Sequence, residues 1–263
     1  YARPILPNNN PLQENKLNTS SSKNNMYSFF GYADIMPIDG LKITLNGTLT
    51  SYDSRGTDAT QPFYGYSRTA YPTGFVSRSS DQTYSYNFQQ LVNYHHDFGH
   101  HHMEILLGHE FYRSRYENLF GTKTGMASYF TNQTLAGAIK LDKTGESGNS
   151  AYESEGFFGR GQYDYDQKYF GSISYRRDAS SRFDPDHRWG NFYSLGGAWI
   201  ITKEKFMKSL RWLNMLKLKA SFGQQGNDNI GDFHYIDTYS IVNNNGKVAL
   251  VLNEKGNPDI TWE

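Results

Sequence analysis

The amino-acid sequence predicts an all-β fold, an antiparallel transmembrane β-barrel of which it supplies about eight or nine strands. Three observations predict it. Segments of about nine to fifteen residues alternate apolar and polar side chains, and they are longer than the strands of ordinary soluble sheets. Their connections are mostly short at one end and long at the other, the layout of membrane barrels with short periplasmic turns and long extracellular loops. The faces that ought to be buried are rich in Tyr and Gly, while the opposite faces carry Lys, Arg, Glu, Gln and Asn.

The composition agrees. The 263 residues are polar, with 37% hydrophobic residues, yet 16% are aromatic, among them 21 Tyr and 17 Phe. Mean hydropathy is −0.72. No run approaches the roughly 18 consecutive apolar residues of a membrane helix, which excludes a helical span and leaves a barrel open. Lys plus Arg number 26 against 26 Asp plus Glu, so the basic excess of a nucleic-acid binder is missing. The absence of Cys excludes disulfides and thiolate metal sites. Tyr1-Ala2-Arg3-Pro4 reads as neither a start nor a signal peptide, and Ile260-Thr261-Trp262-Glu263 reads as the beginning of a further strand. The sequence is therefore expected to be part of a longer chain.

Residues 1–27, with Pro4, Pro7, Pro11 and a Ser/Asn/Lys run, read as a loop. A first strand over about 28–36 ends at the turn Pro37-Ile38-Asp39-Gly40. The second strand alternates most cleanly: Leu41, Ile43, Leu45, Gly47 and Leu49 share one face, against Lys42, Thr44, Asn46, Thr48 and Thr50. A long loop is expected over about 53–81. The third strand, about 82–96, sets Tyr84, Tyr86, Phe88, Val92 and Tyr94 on one face, interrupted by Gln90, with Leu91 misplaced on the other. After a turn at Asp97-Phe98-Gly99, a fourth strand over about 102–116 aligns Met103, Ile105, Leu107 and Phe111. A second long loop is expected over about 117–152.

Strand five, about 153–165, places Phe157, Gly159, Gly161, Tyr163 and Tyr165 together, and a turn at Asp166-Gln167 leads to strand six, about 168–178. A loop through Asp184-Pro185-Asp186 precedes strand seven, about 190–201, with Tyr193, Leu195, Gly197, Trp199 and Ile201 in register. Phe206, Leu210 and Leu213 recur at helical spacing, predicting a short helix over 203–213. Strand eight, about 214–224, opposes Leu216, Leu218, Ala220 and Phe222 to Lys217, Lys219 and Ser221. A long Gly/Asn-rich stretch then runs to Pro258.

Several spaced motifs resemble those of one family. Tyr163-Asp164-Tyr165 through Lys168-Tyr169 looks like one of its turns, and Arg177-Asp178-Ala179-Ser180-Ser181-Arg182-Phe183 resembles its RxDxSSRF stretch. Arg188-Trp189-Gly190, Phe192 and Ser194 to Trp199 are similar to RWGxFxSxxxxW, and Glu204 and Phe206 match its small helix. Leu216 to Gly223 through Gly226-Asn227 looks like LKLRASYGxxGN. Asn257-Pro258-Asp259 with Trp262-Glu263 resembles NPDLKWE. The family is that of the SusC/RagA-type TonB-linked outer-membrane transporters. The likeness is dense over about 153–263 and thinner before, where Gly40-Leu41-Lys42 and Leu106 to Glu110 carry it. The resemblance implies a barrel of about 22 strands around a plug, located in the outer membrane of a Gram-negative bacterium. Residues 1–263 would be part of the barrel domain, with the plug and the final strands outside them. It further implies import of oligosaccharides or peptides driven by TonB, with a SusD-like lipoprotein as lid and outer-membrane lipid around the wall.

Candidate sites are few. His95, His96, His100, His101 and His102 crowd one turn beside Asp97 and Glu104, but their spacing follows no known ligand frame, so no metal is expected. Asn227, Asp228, Asn229 and Asp232 are oxygen-rich, yet depart from the EF-hand pattern and read as turn formers. Tyr64, Tyr66 and Tyr71, with Arg68, offer flat rings that could stack on a sugar or peptide, and they are the candidate ligand-binding residues. No nucleophile elbow, HExxH or phosphate-binding loop occurs, so neither an enzyme nor a cofactor is expected. A second reading is a soluble or surface-attached β-rich module that binds glycans. It requires the apolar faces to be packed between two sheets.

Overall fold

The computed structural model describes residues 18–61, 73–126, 133–210 and 212–263, and for 146–149 the backbone alone. Eight strands follow one another in one antiparallel sheet: β1 (Thr19–Ile38), β2 (Leu41–Thr60), β3 (Phe75–Phe98), β4 (His101–Met126), β5 (Ala138–Tyr165), β6 (Tyr169–Ser180), β7 (Trp189–Ile200) and β8 (Lys217–Gly223). A hairpin of β9 (Thr238–Asn244) and β10 (Lys247–Glu254) forms a sheet of its own. The predicted barrel-wall architecture is therefore present.

Several expectations are corrected. Residues 19–27 belong to β1 rather than a loop. The loop expected at 53–81 is strand up to Thr60 and again from Phe75. The loop expected at 117–152 is strand up to Met126 and from Ala138 onward. These extensions are rich in Ser, Thr, Asp, Gly and Lys with only scattered apolar residues, so the alternation that betrays a half-buried strand fades while the backbone ladder continues. The helix expected at 203–213 is two single 3-10 turns, Ile201–Lys203 and Lys205–Met207. Residues 255–263 form no strand. The Gly/Asn-rich stretch conceals β9 and β10, joined through Asn245 (φ 52°) and Gly246 (φ 81°), the left-handed pair of a type I′ hairpin turn.

By its contacts the chain falls into two compact units. The first gathers 1–29, 49–85 and 114–151. Its small core is Ala59, Val76 and Ala138, with Met126 and Leu135 packed against it. Connecting segments are tied down there by the backbone: Gly125 N–H donates to Gly74 O at 3.2 Å and Met126 N–H to Thr73 O at 3.0 Å. The second unit gathers 30–48, 86–113 and 152–263, and it holds the tight turns, β6 to β10 and most of the quoted motifs.

Within the second unit the ladders fix which side chains share a face. Ile173 lies opposite Gly161 on β5 and Leu195 on β7, and Leu195 opposite Phe222 on β8. Tyr165, Tyr169, Trp199 and Leu218 continue the same face two rows nearer the turn. On the other face Gln162 opposes Ser172, Arg160 opposes Ser174, and Lys219 opposes Ala198. The apolar side is open: Ile173, Leu195 and Leu218 are each about 60% exposed. The turn at Asp166 and Gln167, both at positive φ, closes through Lys168 N–H to Tyr165 O at 3.0 Å. This three-residue connection, Asp166 to Lys168, locks the β5–β6 register, and with it the face on which every later side chain falls.

Candidate functional site

The polar face of the second unit carries a groove of about 710 Å³, lined among others by Glu104, Arg160, Gln162, Ser172, Lys217 and Lys219. Its floor is built from small residues, Ser172 opposite Gly196 and Ala198 beside Lys219, which leave room that longer side chains would fill. Glu104 accepts from Asn93 Nδ2 at 2.8 Å, and Lys217 lies over the Phe170 ring at 4.4 Å. Acidic groups line the β3–β4 side of the groove and basic groups the β8 side. Such a surface suits hydrated or peptidic material, not hydrocarbon.

At the far end of β6 and β7 the quoted motifs converge on one junction. Phe183, fully buried, meets the Trp262 ring at 5.3 Å, and Phe192 meets it edge-on at 5.3 Å. Trp262 Nε1 donates to Arg188 O at 2.8 Å and Thr261 Oγ1 to His187 O at 3.0 Å. Gly190 and Gly226 flank the indole, and a Cβ on either would lie 2.8 Å from a Trp262 ring atom. Both positions therefore need glycine for close approach. Beside this wedge, Asp228 Oδ2 accepts from Tyr152 OH and Ser180 Oγ, both at 2.7 Å. Arg182 donates to Asp228 O at 3.0 Å and to Asp232 Oδ1 at 3.4 Å, and it covers the Tyr152 ring at 4.7 Å. Together these contacts make the motifs one clamp, fastening the segment after β8 to the ends of β5, β6 and β7. Asn227 and Glu263 exchange backbone hydrogen bonds at 3.2 and 3.4 Å.

The oxygen-rich residues thus serve as acceptors for Tyr152, Ser180 and Arg182. Asn227 Oδ1 caps the N–H of Asn229 at 3.1 Å. The crowded histidines disperse: His102 binds Asp97 at 2.8 Å, His100 binds Asp166 at 3.2 Å and His101 binds Tyr163 OH at 2.6 Å. His96 stacks between Tyr94 and Phe98. Among the described residues no group of three or more His, Asp or Glu side chains is placed to hold a metal ion. Tyr64, Tyr66, Arg68 and Tyr71 lie outside the described residues.

Sequence reasoning matched Glu204 to a motif without assigning it a role. Its carboxylate, 14% exposed, accepts from Tyr169 OH at 2.5 Å, Trp199 Nε1 at 3.1 Å and Lys168 Nζ at 3.2 Å. It pins the 3-10 turns to the aromatic row of β6 and β7. The Tyr169 hydroxyl, then Trp199 and Lys168, hold this carboxyl below the usual glutamate range although burial opposes them. A carboxyl depressed in the folded state stabilises above its unfolded pKa, and that contribution disappears as pH falls through the folded value. Thermal melts of the detergent-solubilised parent are therefore expected to lose stability on acidification below about pH 4. In Glu204→Gln this acid-dependent loss is expected to shrink, with a lower melting point already at neutral pH. An unchanged acid limb in Glu204→Gln would refute the assignment.

No protein-family model matches the chain. It is 31% identical to TonB-dependent receptor P39 of Formosa agariphila, over the whole chain and 25% of that protein. It is 30% identical to TonB-dependent receptor SusC of Bacteroides thetaiotaomicron, over 89% of the chain and 23% of that protein. The chain thus spans about a quarter of the length of these relatives. Among solved structures, the RagAB peptide transporter superposes on 94% of the chain with a TM-score of 0.87 at 26% identity, covering 27% of the matched chain. The RagAB peptide importer in its open-open state gives 0.85.

Proposed function

The chain belongs to the SusC/RagA-type TonB-dependent receptors, and on that premise we propose that it forms part of the wall of an outer-membrane importer. The importer takes up oligosaccharides or peptides, is driven through TonB and works with a SusD-like lipoprotein. One observation carries this reading. Large apolar side chains stand exposed along one face, among them Ile173, Leu195, Leu218 and Phe222, while Arg160, Lys217 and Lys219 stand on the other. A sheet whose greasy side faces hydrocarbon and whose charged side faces a watery bore needs this division. The groove on the charged side would face whatever fills or crosses that bore. Tyr64, Tyr66, Arg68 and Tyr71 remain the proposed cargo-stacking residues, and the role is transport rather than catalysis.

A soluble glycan-binding module would need the apolar face covered by a second sheet. Among the described residues the buried apolar side chains are Ala59, Val76, Ala138, Ala179 and Phe183, too few and too small for a sandwich core. Fractionation of cells expressing the parent protein tests the choice. It is expected to pellet with the outer membrane and to need detergent for release. Recovery in the soluble fraction would end the importer reading.

A further inference from the structure

We propose that Arg177, with Asn191 and Trp189, binds the phosphate of a membrane glycolipid at the upper edge of the apolar band. This rests on the reading that the apolar face looks at lipid. The ladders put Phe157, Arg177 and Asn191 in one row across β5, β6 and β7. That row lies on the same face as Ile173 and Leu195, four residues away on each strand.

The height of the row follows from the strands. Tyr165, Tyr169 and Trp199 form a stacked aromatic row near the tight turns, with centroids 6.5 and 6.3 Å apart. Trp189 marks a second level, with Phe157 stacked diagonally against it from one row nearer the tight turns at 6.2 Å. Trp189 is paired with Ala179, ten residues beyond Tyr169. At about 3.3 Å per residue and a tilt of about 40°, the Trp189 level lies ~25 Å from the first row, the height of a barrel's apolar band. Aromatic rows mark the two interfaces, where rings are half solvated. Arg177, eight residues beyond Tyr169, stands one row inside Trp189, about 20 Å up by the same geometry, and its long side chain reaches the head-group level marked by the Trp189 ring it covers.

Its charge is not met within the wall. The Arg177 guanidinium lies over the Trp189 ring at 5.0 Å, and among the described residues no carboxylate is within ion-pair distance of it. The nearby acids are engaged. Glu155 is held by His109 at 3.0 Å, Glu153 by Arg113 at 3.1 Å and Asp178, on the opposite face, by Arg176 at 2.7 Å. Asn191 Oδ1 accepts from Tyr175 OH at 2.7 Å, which orients the amide and leaves its Nδ2 to donate. A planar five-donor guanidinium beside an amide donor matches a phosphate, and a point cation would match it less well.

The test uses the full-length receptor, purified in detergent after its membrane partition has been confirmed. Native mass spectrometry then compares retention of a phosphorylated lipid A with that of its dephosphorylated form. Wild type is expected to retain the phosphorylated lipid preferentially. Arg177→Gln should lower that retention at least about fivefold, the loss of a charge-assisted contact, and Arg177→Lys should lower it less. Lys219→Gln on the opposite face should leave it unchanged. Equal retention by wild type and Arg177→Gln, or of the two lipids by wild type, would overturn the proposal while leaving the importer reading intact. Displacement by an equal concentration of inorganic phosphate would overturn the lipid as the source. A receptor found in the soluble fraction would overturn both readings at once.

Discussion

Leu195→Arg is expected to cost about 2–4 kcal/mol of folding stability in a bilayer, the penalty for a cation on the lipid face near the midplane of a barrel. Leu195 lies between the two aromatic rows, four residues from Trp199 and six from Trp189 on the same strand. Its cross-strand neighbours Ile173 and Phe222 are as exposed as it is. Nothing beside it can pair with a guanidinium, and hydrocarbon offers no water. The comparison is Ser172→Arg, on the opposite face and lining the polar groove. There the new charge meets water and Glu104 lines the same groove, so a far smaller cost is expected. Urea titration of the parent folded into lipid vesicles measures both. Equal costs, or a neutral Leu195→Arg, would show that the two faces have been assigned the wrong way round.

The second large effect is expected at the motif junction. Phe183 is the largest fully buried side chain among the described residues and packs against Trp262. Truncating it leaves a cavity beneath the indole, for which about 3–5 kcal/mol is usual. The loss should be local in its consequence. With the wedge loosened, Trp262 no longer keeps its hydrogen bond to Arg188 O, and the segment from Gln224 to Pro258 loses one of its fastenings. Limited proteolysis of Phe183→Ala should cut that segment faster than in wild type. Leu250→Ala, on the exposed hairpin, should change stability by no more than about 0.5 kcal/mol. Wild-type resistance in Phe183→Ala would mean that Asp228 and Arg182 hold the junction alone.

The strands legible in the sequence were those with one face in an apolar setting. Strand six was expected over 168–178 and spans Tyr169–Ser180, and strand seven was expected over 190–201 and spans Trp189–Ile200. Each has Ile or Leu alternating with Ser or Gly, so period two is visible. Where β1 to β5 run on beyond the alternating part, Ser, Thr, Asp and Gly outnumber the few apolar residues, and the period disappears although the ladder does not. The β9–β10 hairpin lies in a stretch too rich in Gly and Asn to show strand alternation, yet within Asn243 to Lys247, between Val242 and Val248, the pair Asn245-Gly246 is a strong hairpin cue. Gln90, an interruption in sequence, has a reason in space: it bonds His109, which also meets Glu155. The junction was visible as scattered motifs, but nothing in one sequence shows that Ser180, Asp228 and Trp262 meet.

The closed turn at Asp166-Gln167 also bears on how such a chain can change over evolutionary time. One residue added there would reverse the phase of everything downstream, bringing Lys217 and Lys219 round to the side now held by Leu218 and Phe222. Lengthening at the opposite ends carries no such penalty, because a connection many residues long absorbs extra residues without altering strand phase. Descendants of this sequence can therefore vary their long connections while keeping unchanged which side chains stand on each face of the sheet.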